Sequence, residues 1–245
     1  MSHENLPHEP LSVDHPVGPV DTGGPQSPRL LIFDVNETLS DMSPLAERFE
    51  DVGAPAHLAV TWFSGVLRDG FALAAVGASH SFAHIAAELL DVGLHGLPLN
   101  REPAEAISHI MDGFAELPVH DDVPDGIGAL GGRGIRLVTL SNGSASVAEA
   151  LLKHAGIRGH FERLLTVEDA GRWKPAPESY GYALQECGVE PQEAMLVAVH
   201  PWDIDGASRA GLATAWVNRP GGPYPDHFRA PDVTAASLIN LADQL

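Results

Sequence analysis

Residues Leu30 to Asp41 read LLIFDVNETLSD: four large apolar residues, an aspartate, then a polar turn. An uninterrupted apolar run of this kind suits a strand buried on both faces, as at the centre of a parallel sheet. Ligands of open α/β sheets collect beyond the carboxyl ends of the strands, so the carboxylate of Asp34 is aimed at such a crevice. Asn36 and Thr38, close behind it, supply amide, hydroxyl and backbone donors that keep a carboxylate ionised and therefore nucleophilic. An Asx turn closing a strand fits the same residues, and this stretch alone leaves both readings open.

Downstream of Asp34 the pattern turns helical. Ser43 and Pro44 look like a helix N-cap and first position, with Glu47 at capping-box spacing. Apolar patterns of helical period then run from about Pro55 to Val76, Ser81 to Leu90 and Pro103 to Phe114, with no strand between them. Helices standing between a first strand and the next predict an inserted helical cap over residues 43–118.

From Val123 helices and strands alternate. A helix ends in Gly131 and Gly132; a strand Ile135 to Leu140, the turn Ser141-Asn142-Gly143 and a helix Ser144 to Ala155 follow. Next come a strand near Leu164 to Val167, a helix through Cys187, a buried strand Ala194 to Val199, a helix over Gly206 to Ala210, a strand Ala213 to Val217 and a helix Ala235 to Leu245. The expected fold is an α/β, doubly wound, Rossmann-like parallel sheet, its core formed by residues 29–42 and 119–245. Polar groups gather at or just past four strand ends: Asp34, Ser141 with Asn142, Lys174, and His200 to Asp205.

The 245 residues suffice for one α/β domain plus an inserted unit. Residues 1–28 carry six prolines among Gly, Asp and His without periodicity, the composition of a disordered tail; His3, His8 and His15 are too scattered for a metal site. The start is neither basic nor apolar enough for a signal peptide, and no apolar run approaches the roughly 18 residues of a membrane span. A single cysteine, Cys187, cannot form an internal disulfide and fits a reducing cytoplasm. With 14 Lys plus Arg against 33 Asp plus Glu, the formal charge of −19 disfavours nucleic acid and anionic membranes as partners. A site for an anionic substrate must bring its own cations.

In order and spacing, FDVNETLSD, TLSNGS, RWKPAPESY and WDIDGA together resemble the haloacid dehalogenase superfamily, and within it the type II 2-haloacid dehalogenases. The resemblance spans about residues 29 to 243. It implies hydrolytic dehalogenation of short 2-haloalkanoic acids, without metal or other cofactor, and a dimer through the cap helices. Asp34 is then the nucleophile, forming an ester that water hydrolyses. Lys174 and Thr38 hold the carboxylate, Ser141 and Asn142 donate to substrate carboxylate or halide, Trp202 and Phe63 shape the halide pocket, and Asp203 assists water. Capping of the helix at Ser144 is the structural alternative for Ser141 and Asn142.

Phosphatases of the superfamily carry an acidic residue two positions after the nucleophile, to protonate the leaving oxygen. Here that position is Asn36, and an amide cannot serve as the acid. Their Mg²⁺ also needs an acidic residue just after the fourth strand, where this chain runs apolar from Leu196 to Val199, leaving only Asp203 and Asp205. Halide departure needs neither proton nor metal. An Mg²⁺-dependent phosphatase and a non-catalytic binding protein remain the alternatives. Three positions depart from the dehalogenase pattern as well: Asn36, expected at the substrate, stands where a tyrosine is usual, Phe63 where a cap arginine is usual, and His200, expected to take part of that arginine's job on the substrate, where an asparagine is usual. Arg68, roughly 140° around the same helix at about 100° per residue, does not replace that arginine.

Overall fold

A computed structural model describes residues 27–245; the proline-rich segment expected as a tail, with its three histidines, falls almost entirely outside them. Strand β1 (Leu30–Phe33) is buried throughout and pairs in parallel with two neighbours, Phe33 standing opposite Thr139 on one side and Val197 on the other. The strand period divides its side chains: Leu30 and Ile32 join one apolar cluster, Leu31 and Phe33 a second on the opposite face. This two-sided burial is why the run carries no polar residue.

Helices α1 (Leu45–Asp51), α2 (Leu58–Ala75), α3 (Phe82–Leu94) and α4 (Pro103–Ala115) stand between β1 and the rest of the sheet. Trp62, Phe82 and Phe114 pack at ring distances of 5.0 to 5.9 Å, and the Trp62 indole donates to the Ala86 carbonyl at 2.9 Å. The chain enters and leaves this helical insert through two adjacent antiparallel segments, where Ser40 bridges Val119 and the Asp41 amide donates to Pro118 O.

The remainder alternates: α5 (Val123–Gly132), β2 (Arg136–Ser141), α6 (Ala145–His154), β3 (Phe161–Thr166), α7 (Val167–Ala170), α8 (Pro177–Cys187), β4 (Ala194–Ala198), α9 (Pro201–Arg209), β5 (Ala213–Val217), β6 (Val233–Ala235) and α10 (Leu238–Gln244). The six strands are all parallel in the order β3-β2-β1-β4-β5-β6. The chain therefore works outward on one side of β1 and returns to its other side, creating a switch point where β1 meets β4. Crevices at such points hold ligands. Gly156 and Gly188, with φ of 72° and 62°, close α6 and α8 in the left-handed region that side chains disfavour.

Four local expectations are corrected. Ser43 does not cap α1; its amide and hydroxyl both turn back to Asp41 at 2.9 Å. Val167 begins α7 rather than ending β3, and α9 starts at Pro201, directly after β4. Residues 233–235 form a sixth strand against β5, so the last helix starts only at Leu238, capped by Ser237. Three residues of strand leave too short a pattern to separate from the helix that follows.

Candidate active site

Asp34 follows Phe33 directly and is only 4% exposed. Its amide continues the ladder to Val197 O at 3.1 Å, which fixes the carboxylate over the switch point. Oδ1 accepts from Lys174 Nζ at 2.9 Å; Oδ2 accepts from Thr38 Oγ1 at 2.6 Å and lies 3.0 Å from His200 Nδ1. Thr38 is oriented in turn by the Val199 amide, which donates to its hydroxyl at 3.1 Å. Burial pushes the Asp34 carboxyl upward, but Lys174, His200 and Thr38 outweigh it and hold the group well below the usual carboxylate range. Asp34 is thus an enclosed carboxylate held in its ionised form, the state in which a carboxylate can act as a nucleophile.

Lys174 is fully buried, not a surface lysine. Its ammonium bridges Asp34 and Asp203, with 2.6 Å to Asp203 Oδ2. Burial opposes its charge, yet the two carboxylates raise its pKa above the ordinary value. Asp203, in the first turn of α9, spends its other oxygen on the Tyr180 hydroxyl, which donates to Oδ1 at 2.6 Å. Asp203, expected to assist water, is thus brought into the site beside Lys174. Both oxygens are engaged and the residue is wholly enclosed, so it acts as the counter-ion that positions Lys174.

Asn142, expected to donate to substrate carboxylate or halide, bonds the backbone of Lys174. Its Oδ1 accepts from the Lys174 amide at 3.0 Å and its Nδ2 donates to the Lys174 carbonyl at 3.4 Å, so the β2 loop clamps the backbone that carries the cation. Ser141 Oγ accepts from the Gly143 amide at 2.9 Å, and α6 is capped by Ser144 instead. Asn36 is buried with its amide toward Gly143, while Thr38 is the turn residue that bonds Asp34.

The insert reaches the site through aromatic rings. Phe82 stacks on Trp173 at 6.1 Å, the Trp173 indole donates to His80 O at 3.0 Å, and Gly70 leaves room for that indole: a Cβ there would meet it at 2.3 Å. Phe63 is buried against Phe82 at 6.2 Å; the α2 ring that meets Trp202 is Phe71, at 4.8 Å. Trp202 lies 4.9 Å from the His200 ring and 5.9 Å from Lys174 Nζ. Phe71 therefore takes the place beside Trp202 that the sequence assigns to Phe63. Arg68 is largely exposed and bonds its neighbour Asp69 at 2.7 Å, in agreement with its helical angle.

His200 connects the carboxylate to Glu37, whose Oε2 lies 2.8 Å from Nε2. Burial disfavours its charge, but Asp34 and Glu37 raise its pKa to about 9. Glu37 adopts a left-handed φ of 60°, a conformation costing a non-glycine residue about 1 kcal/mol or more. Neither Glu37 nor Tyr180 carries a role in the sequence reading; Tyr180 closes the RWKPAPESY motif, whereas Glu37 leaves no signal beyond its place in the turn.

The donor set does not suit the Mg²⁺ of the superfamily's phosphatases. Lys174 Nζ occupies the space between Asp34 and Asp203, and Asp205 turns to Arg209 Nε at 2.7 Å and the Arg229 amide at 3.0 Å.

Comparison with known proteins bears on this geometry. The model of the haloacid dehalogenase-like hydrolases matches residues 28–211. The chain belongs to that family. It is 28% identical over 210 residues to an (S)-2-haloacid dehalogenase of Pseudomonas sp. (strain YL), covering 85% of this chain and 90% of the relative. It is 27% identical over 206 residues to haloacetate dehalogenase H-2 of Moraxella sp. (strain B), covering 83% and 92%. A crystal structure of an L-2-haloacid dehalogenase superposes with a TM-score of 0.83 at 26% identity, over 89% of this chain and 98% of that one. The doubly wound sheet is the core of this hydrolase family, and Asp34, Lys174 and Asp203 converge at its switch point.

Proposed function

We propose that this hydrolase cleaves the carbon–halogen bond of short 2-haloalkanoic acids, such as haloacetates and 2-halopropionates, giving 2-hydroxy acids through an ester on Asp34. The observation that carries the reading is the ionised, enclosed Asp34 carboxylate held by Lys174 and Thr38, with the amide of Asn36 where an oxygen leaving group would need an acid. A carboxylate displaces halide from carbon with inversion, and the halide leaves without a proton or a metal. Lys174 and Thr38 steady the nucleophile. Trp202 with Phe71 offers halide an apolar wall, and Ser141 with Asn142 fixes the opposite loop. The names of the relatives, (S)-2-haloacid and haloacetate dehalogenases, support the same substrate class.

The partner is then a small anion met in the cytoplasm; no helix among the described residues is long and apolar enough to cross a membrane. A second copy docks through the inserted helices, where Val76 and Val92 are 80% and 71% exposed. Halide release from chloro-, bromo- and fluoroacetate and from both 2-chloropropionates, with and without chelator, tests the proposal. Chelator-insensitive chloride release is expected; phosphate-ester hydrolysis abolished by chelator, with no halide released, would reject it.

A further inference from the structure

Two spaces lie against the turn that follows Asp34. One, bounded by Val35, Asn36, Ser40 and Phe114, has a volume of about 10 Å³, roughly the minimum that holds a single water. The other, between the helical insert and the carboxyl end of the sheet, has a volume of about 630 Å³. Glu37 and His200 belong to its wall, and His200 Nδ1 lies 3.0 Å from Asp34 Oδ2, so one imidazole separates this cavity from the nucleophile. Cavities of roughly 300 to 1,000 Å³ surround drug-sized ligands. A two- or three-carbon acid leaves most of this one empty.

Its walls are largely apolar. The insert contributes Ala46 from α1, Ala56 from the turn before α2, and Ala59 and Val60 from the first turn of α2; Met42 and Trp216 add larger surfaces. Trp216 is fixed by its indole, which donates to Val199 O at 2.9 Å, and by edge contact with Tyr224 at 4.9 Å. The polar side chains along the same walls are already engaged. Asp41 accepts from the Ser43 amide and hydroxyl, His120 Nε2 donates to the Glu37 carbonyl at 2.9 Å, and Asn218 exchanges two bonds with Gly222. Arg219 gives Nε and Nη2 to Asp122, and its Nη1 is enclosed by protein. A polar ligand finds few donors here, whereas an apolar chain is removed from water on several sides.

We propose that this cavity seats the C2 side chain of the substrate, so that the enzyme takes 2-haloacids with an extended, unbranched apolar side chain, such as 2-bromohexanoate, and gains from each added methylene. This rests on the dehalogenase reading above and carries it from the reacting end of the substrate to its tail. Charge sets the orientation: the carboxylates of Glu37 and Asp41 line the cavity and are unfavourable neighbours for a haloacid's own carboxylate, which leaves the headgroup at the Asp34 end and the tail in the cavity. Ala46, Ala56 and Ala59 determine specificity by their small size, because a longer side chain at any of them occupies space that the tail needs.

The test is steady-state halide release along the series 2-bromopropionate, 2-bromobutanoate and 2-bromohexanoate, with bromoacetate as reference. For wild type, kcat/KM should climb on the order of fourfold per methylene, the gain from moving a CH2 group out of water; a flat or falling series would overturn the assignment. Ala46→Leu, which keeps a strong helix former on α1, should cut the ratio of kcat/KM for 2-bromohexanoate over bromoacetate by about tenfold or more. Val60→Asp places a carboxylate on the apolar wall at a position 73% exposed, where the fold does not depend on the side chain, and should lower the same ratio. Equal losses on the two substrates in either variant, or no loss, would overturn the assignment. Calorimetric binding of propionate and hexanoate, which carry no halogen, reads the cavity without the chemistry. Hexanoate should bind wild type more tightly and lose that advantage in Ala46→Leu. Wild-type protein that releases no halide from any haloacid rejects the dehalogenase reading; the two affinities still decide the cavity, and equal values would overturn its assignment.

Discussion

The two oxygens of Asp34 face unlike surroundings. On the Oδ1 side, Lys174, Asp203 and Tyr180 form a sealed chain of fully buried groups in which every bond is short and solvent has no access. On the Oδ2 side, His200 and Glu37 lead to an open cavity, and exposure rises along the line from Asp34 to Glu37. A sealed charge chain cannot gain or lose protons cheaply, so it fixes the state of the nucleophile. A chain open to water can change its charge during a cycle. One carboxylate thus has a sealed neighbour on one side and a solvent-connected one on the other.

Removing the cation of the sealed side should have the greatest effect. Lys174→Met leaves two buried carboxylates without their counter-ion, which should abolish turnover and cost about 3 to 5 kcal/mol in denaturant unfolding. Adding Asp203→Asn should recover part of that stability, because one of the orphaned charges is gone. Near-wild-type stability of the single variant would show that the sealed side is not a charge chain.

The open side should reveal itself through pH. The pKa of His200 is raised in the folded state from 6.5 to about 9, so its stabilising contribution is complete below the unfolded value and is lost as pH rises toward 9. That window corresponds to an upper bound on the order of 3 kcal/mol. Unfolding free energies measured between these pH values should fall more steeply for wild type than for His200→Asn; parallel curves would remove the protonated pair.

Tyr180→Phe is a smaller change on the sealed side. It deletes the hydroxyl bonded to Asp203 and should destabilise by about 1 to 3 kcal/mol, with KM little altered because the tyrosine touches no substrate. Smallest of all is Arg68→Ala. An exposed guanidinium paired with its own neighbour contributes little to stability, and turnover should match wild type. Loss of activity in that variant would place Arg68 in the site and restore the missing cap cation.

The same contrast explains what is legible in the sequence. Buried strands must be apolar along their length, so LLIF and the run from Ala194 stand out, and a polar residue ending such a run marks the crevice. Asp34 is visible for that reason, whereas the roles expected of Thr38, Lys174 and Asp203 come from the motifs of the resemblance. What each side chain touches depends on packing between elements, which no local pattern encodes. Asn142 is committed to the Lys174 backbone 32 residues away, and Phe71 rather than Phe63 meets Trp202. The partnership of Glu37 with His200 spans 163 residues and depends on one left-handed turn, which a sequence pattern does not announce.

Everything above turns on Asp34 being alkylated and then regenerated by water at its own carbonyl. Excess enzyme reacted once with 2-chloropropionate in ¹⁸O water reads this out, by mass spectrometry of the peptide containing Asp34 and of the 2-hydroxy acid. The expected result is ¹⁸O in the Asp34 carboxylate and none in the first-turnover product. Label in the product with Asp34 unlabelled would mean that water attacks the substrate directly, and that Asp34 is not the nucleophile.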